Sequence, residues 1–229
     1  IDAMRQCCAF HICGDQHLAT IGQYGIDEWR DAGWWFCVPS IANLWPRWWQ
    51  PRNQTAKNAE EGAQENTGDF VDGFGNKMTI YAHTNPRPSQ REPVQLHERM
   101  PGFGIVRFNM ETRDITMECW PRMVDVTDSS QQYTGWPRTI NQLDNFGQKT
   151  EALLPMLRIV GSSDPVIQVE AGGKLVYCVR IKGNSFQPKV PRKGKYSVTV
   201  RDGDRKKTLS DVATISGDGK QVIEVRLVD

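Results

Sequence analysis

No apolar run in this sequence is long enough to cross a bilayer, and no basic-then-apolar leader opens it, so neither a membrane span nor a signal peptide is expected. An excess of one charge is also missing. The 28 lysines and arginines stand against 27 aspartates and glutamates, for a formal net charge of +1, which leaves no basic field to hold nucleic acid or an anionic membrane surface. No two of the six cysteines have Cys-x-x-Cys spacing, which speaks against a zinc knuckle or a dithiol redox motif. No serine or cysteine stands in a recognisable nucleophile motif, so serine-type hydrolysis has no support. Histidine is scarce: His11, His17, His83 and His97 are the only four.

What is present is the composition of a folded protein, with 38% apolar and 24% charged residues in 229, enough for one or two domains. The most specific stretch is Cys13-Gly14-Asp15-Gln16-His17-Leu18-Ala19-Thr20, which follows the apolar Ala9-Phe10-His11-Ile12. An apolar run ending abruptly in Gly-Asp-x-His reads as a buried strand that delivers two metal-competent side chains at its carboxyl end, where open α/β sheets place ligands. Taken alone, the plainer reading is that Asp15 caps the next segment and His17 is an ordinary, partly buried histidine. Leu18 to Gly25 reads as a short helix or irregular turn, and Gly33-Trp34-Trp35-Phe36-Cys37-Val38 as a buried strand ended by Pro39. Adjacent Cys7 and Cys8 can each bridge elsewhere, whereas Cys13 and Cys37 sit in apolar runs as small core residues.

Trp45-Pro46-Arg47-Trp48-Trp49-Gln50-Pro51-Arg52 has the residue types of a base-stacking platform, but three tryptophans among prolines read better as a rigid packed corner. Asp69 and Asp72 do not match a calcium loop and read as two solvated carboxylates of an exposed turn. Met78 to His83 alternates as a strand, with His83 near its end and a weak candidate for a metal cleft. His97, flanked by glutamate and arginine, reads as a surface loop residue. The runs 104–110 and 114–120 predict a hairpin in which Val106, Phe108 and Met110 oppose Ile115, Met117 and Cys119. From Met123 to Thr150 the text is a polar connector anchored by Tyr133, Trp136 and Phe146, with a boundary near residue 150. Beyond it, short β-rich runs at 156–160, 166–170, 175–181, 194–202, 208–215 and 221–228, with turns such as Ala171-Gly172-Gly173-Lys174 and Ser216-Gly217-Asp218-Gly219, fit a small β-sandwich. The basic clusters at 189–195 and 205–207 read as solvated loop charge diluted by Asp202, Asp204 and Asp211.

Gly14-Asp15-Gln16-His17-Leu18-Ala19, Gln23-Tyr24-Gly25-Ile26-Asp27, the run Asp31 to Asn43, Trp45-Pro46-Arg47-Trp48-Trp49-Gln50-Pro51, Pro101 to Phe108 and Ile115 to Arg122 follow one another in an order that resembles the alkaline phosphatase D-like branch of the binuclear metallophosphoesterases. The likeness covers roughly the first half of the chain and is to the carboxyl-terminal part of that family's catalytic domain. It implies hydrolysis of phosphate mono- or diesters, with His17 as a metal ligand and Asp15 beside the scissile phosphate, orienting a ligand or a proton. It also implies two divalent or trivalent ions, zinc, manganese, iron or calcium being indistinguishable from oxygen and nitrogen donors. The family's late motif is often Gly-His-x-His, and aspartate replaces the first histidine here.

The earlier family elements, including a Gly-Asn-His loop, have no counterpart, and two ions about 4 Å apart need more ligands than this chain offers. The remaining ligands are therefore expected from a missing amino-terminal segment or a partner chain, and relatives of this kind are frequently exported. The expected architecture is α+β to mostly β: residues 1–150 as the carboxyl-terminal portion of a metallophosphoesterase α/β sandwich, then 151–229 as an immunoglobulin-like or fibronectin-like β-sandwich. The alternative is a non-catalytic structural or binding fragment that acts through its β-sandwich.

Overall fold

Aromatic and β-branched residues gather in short runs broken by glycine and proline, a pattern that favours strands over helices. The computed structural model describes residues 1–42, 45–52, 55–215 and 221–227. It is mostly β, with 41% strand and 7% helix distributed over several sheets. Asn43, Asn53, Gln54, the turn expected at Ser216-Gly217-Asp218-Gly219 and the last residue of the final expected strand, Val228, lie outside the described residues.

A one-turn helix, α1 (Asp2–Gln6), precedes β1 (His11–Cys13), β2 (Thr20–Tyr24), β3 (Trp34–Cys37), β4 (Gly68–Val71) and β5 (Lys77–His83). These strands form one sheet in the order β1-β3-β2-β5-β4. β1 and β3 run parallel, pairing His11 with Trp35, Ile12 with Phe36 and Cys13 with Cys37. The other pairings are antiparallel. β3 is buried throughout, as expected. Its alternation explains why: Trp34 and Phe36 enter one core while Trp35 and Cys37 enter another on the opposite face.

Three expectations are corrected in this sheet. β1 is a border strand rather than a buried one, so Ile12 is 47% exposed. The segment after the Gly-Asp-x-His turn is strand β2, because Thr20, Ile21, Gly22 and Gln23 find ladder partners on both sides, in β3 and β5. Asp69 lies inside β4 and is buried, bonded by Arg30, Asn58 and Thr79, whereas Asp72 is in the exposed turn expected for both.

A second short helix, α2 (Val94–His97), leads to β6 (Gly102–Phe108) and β7 (Asp114–Pro121), which form the expected hairpin with Val106 opposite Met117 and Phe108 opposite Ile115. His97 is buried in α2 rather than exposed in a loop. The connector contributes one strand, β8 (Arg138–Asn141), which adds to β7 to make a three-stranded sheet. Its anchors Tyr133, Trp136 and Phe146 are buried as expected. Ile115, Met117 and Cys119 of β7 pack with Ile21, Trp34 and Phe36, so this sheet covers one face of the first.

The rest of the chain is β9 (Ala152–Leu153), β10 (Met156–Val160), β11 (Val166–Ala171), β12 (Lys174–Arg180), β13 (Ser185–Phe186), β14 (Lys189–Val190), β15 (Lys195–Asp202), β16 (Arg205–Ala213) and β17 (Val222–Arg226). A four-stranded sheet, β12-β11-β15-β16, and a three-stranded one, β13-β10-β17, share a core. Leu157 and Ile159, Ile167 and Val169, and Val198 and Val200 enter it at the strand period of two. Cys8 and Phe146 belong to the same core. Gln6 Nε2 donates to the Leu175 carbonyl at 3.1 Å and an Arg113 guanidinium nitrogen donates to the Ile181 carbonyl at 3.3 Å, so polar contacts accompany this packing.

Candidate functional site

Because β1 and β3 are parallel, their carboxyl ends lie side by side, and Gly14-Asp15-Gln16-His17 leaves the sheet at that end. The root is fixed by the Val38 amide, which donates to the Cys13 carbonyl at 2.8 Å. At the far side the Ala19 amide donates to Thr84 Oγ1 at 2.9 Å, and the Thr84 amide donates back to the Ala19 carbonyl at 3.0 Å. Between these anchors Asp15 and His17 both adopt left-handed backbone, at φ 58° and 55°. Such a conformation costs a non-glycine residue about 1 kcal/mol or more, and it persists where surrounding bonds over-determine it.

The His17 side chain is 16% exposed and that of Asp15 is 88% exposed. His17 Nδ1 lies 2.7 Å from the Trp45 carbonyl oxygen, which can only accept, so Nδ1 carries a proton. Nε2 lies 3.4 Å from Asp15 Oδ1. A carbonyl on the far imidazole nitrogen is the usual support of a metal-ligating histidine. Gln16 Oε1 accepts from Arg47 at 3.3 Å, which ties the turn to the tryptophan-rich segment.

This donor set fits a share of a divalent-metal site, an imidazole nitrogen and a carboxylate oxygen on one turn, and no more than a share. Among the described residues no three histidine, cysteine, aspartate or glutamate side chains converge as a metal-binding group. The other histidines are engaged elsewhere. His11 Nδ1 is 2.8 Å from the Tyr24 hydroxyl. His83 sits on β5 opposite Thr20 and donates from Nε2 to the Glu65 carbonyl at 2.8 Å. Burial holds the His83 imidazole below its ordinary range.

No family profile, curated protein or solved structure matches the chain.

The expected packed corner is half realised. Trp49 is anchored, its indole donating to the Asn66 carbonyl at 2.7 Å, whereas Trp45 and Trp48 are 75% and 56% exposed beside the turn. The role of Trp45 as the anchor of His17 was not legible, since it acts through its backbone carbonyl rather than its side chain. A cleft of about 420 Å³ lies elsewhere, lined by Trp34, Phe146, Tyr177 and Lys189 among others; neither Asp15 nor His17 borders it.

Proposed function

We propose that this chain is part of a metal-dependent phosphoesterase of the alkaline phosphatase D-like kind, acting on phosphate mono- or diesters, with residues 1–150 in the catalytic domain and 151–229 as an immunoglobulin-like or fibronectin-like sandwich. The observation that supports it best is the His17 ring, held by the Trp45 carbonyl with Nε2 turned to the Asp15 carboxylate. When bound, the ions of such a centre supply the nucleophile and neutralise the phosphate oxygens. In this reading His17 is the metal ligand through an imidazole nitrogen, and the exposed carboxylate of Asp15 beside it orients a ligand or a proton. The other ligands come from polypeptide outside these residues.

The test is metal-dependent phosphate release from a chromogenic ester by the chain alone and by the chain joined to its upstream coding segment. Activity is expected only in the second, and His17→Ala is expected to lower it by at least the about 10–100-fold that loss of a ligand's supporting hydrogen bond costs. Equal activity from the chain alone, or none from the joined protein, overturns the reading.

The second reading, a structural or binding fragment, is favoured by the exposed large apolar side chains Ile12, Trp45 and Trp48. A monomer by light scattering that retains no partner in a pull-down counts against it.

A further inference from the structure

We propose that Cys13 and Cys37 are a covalent cross-link site, a disulfide that locks β1, from which the Asp15 and His17 turn departs, to its neighbour β3. The two residues are register partners across the parallel β1–β3 pair. Neighbouring strands lie about 4.8 Å apart, within the about 4.4–6.8 Å that disulfide Cα atoms span. Register partners project their Cβ atoms to the same face, and both side chains belong to the same apolar cluster, with Tyr24, Trp35 and Phe70. All six cysteines of the chain are unbridged in this structure. The inference stands on this geometry alone and holds whether or not the chain belongs to a phosphoesterase.

Accessibility sets the order of events. Cys13 is partly exposed and Cys37 is buried, its thiol pushed up to about 12 by burial first and then by Cys13. Cys13 is therefore the sulfur that meets an outside oxidant, here a low-molecular-weight disulfide such as glutathione disulfide. Its thiolate attacks one sulfur of glutathione disulfide, the S–S bond breaks and one glutathione leaves. The Cys37 thiolate then attacks the Cys13 sulfur of the mixed disulfide and releases the second glutathione. The protein loses two protons and two electrons, and glutathione disulfide is reduced to two thiols. Cys13 and Cys37 are the last residues of β1 and β3, so the bond forms at the root of the turn.

Incubating the native chain in glutathione buffers of graded potential, blocking the remaining thiols with an alkylating reagent and mapping the proteolytic peptides tests this. The expected result is an intact-mass loss of two hydrogens, loss of two alkylatable thiols, and a linked peptide pair containing Cys13 and Cys37. Cys13→Ser is expected to abolish that pair while leaving the alkylation of Cys7, Cys8, Cys119 and Cys178 unchanged. Cys13 and Cys37 both remaining alkylatable in the most oxidising buffer, a glutathione adduct that persists on Cys13 beside an alkylatable Cys37, or a bridge confined to Cys7 and Cys178 would each overturn it. The wild-type peptide map decides the matter even if a Cys37 variant fails to fold.

Discussion

Asp69 and Asp72 are three positions apart with opposite surroundings. Asp69 is buried and accepts from Thr79 Oγ1 at 2.6 Å, Asn58 Nδ2 at 2.9 Å and Arg30 at 3.1 Å. Asp72 caps its own turn in the open, accepting from the Phe74 and Asn76 amides. Removing Asp69 strands three donors, so Asp69→Ala is expected to cost about 1–3 kcal/mol in urea denaturation, and Asp72→Ala a much smaller amount. The sequence could not separate the two, since both are aspartates near glycines and what distinguishes them is the distant Arg30 and Thr79. His83 offers a second test. Its imidazole is held below the ordinary 6.5 by burial, so the unfolded chain takes up the proton first as the medium is acidified. Its contribution to stability is complete above about pH 6.5 and declines as pH falls from there towards the folded value. His83→Gln is expected to flatten that part of the stability profile, measured as Tm between neutral and mildly acidic buffers.

Among the strands, those whose residues alternate or are uniformly aromatic were legible: β3, β5, the β6–β7 hairpin, β10, β11, β12, β15, most of β16, and β17. The two-residue β13 and β14 were not, and the basic residues read as loop charge include Lys189 and Lys195 of β14 and β15 and Arg205 to Lys207 of β16. β2 was not, because Gly22 and Gln23 break its pattern and its pairing depends on β3 and β5, far along the chain. Gly22 itself shows why the break is needed. A Cβ there would lie 2.2 Å from the Trp35 ring and 2.7 Å from the Thr79 carbonyl oxygen, and the ladder shifts register beside it. Gly22→Ala is expected to destabilise the protein by about 1–3 kcal/mol through overpacking, read by thermal or chemical denaturation. β1 was placed correctly and its burial was not, since three residues of apolar text look the same at a border as in the middle of a sheet. The same limit applies to Asp15 and His17: the motif drew attention to them, but the carbonyl that fixes the ring comes from a backbone atom that side-chain identity does not encode.

Across the whole molecule, all eight tryptophans fall at or before Trp136, while the strands from β9 to β17 contain none. Indole fluorescence therefore reports on the first part of the chain and far-ultraviolet circular dichroism on all of it. Cys8 and Phe146 are buried in the core shared by the later sheets, and the Gln6 and Arg113 side chains bond to carbonyls there. The two signals are expected to change in one coincident thermal transition; an early fluorescence change with most of the dichroism retained would show that these contacts do not couple the parts.

The border position of β1 carries one more consequence. At the opposite margin of its sheet, β4 is already partly occupied, with the Asp69 amide donating to the Lys57 carbonyl at 2.7 Å. Among the described strands, β1 has β3 as its single neighbour. A complementing polypeptide that enlarges this sheet by strand addition would thus zip onto the outer rim of β1, and its own loops would emerge next to His17.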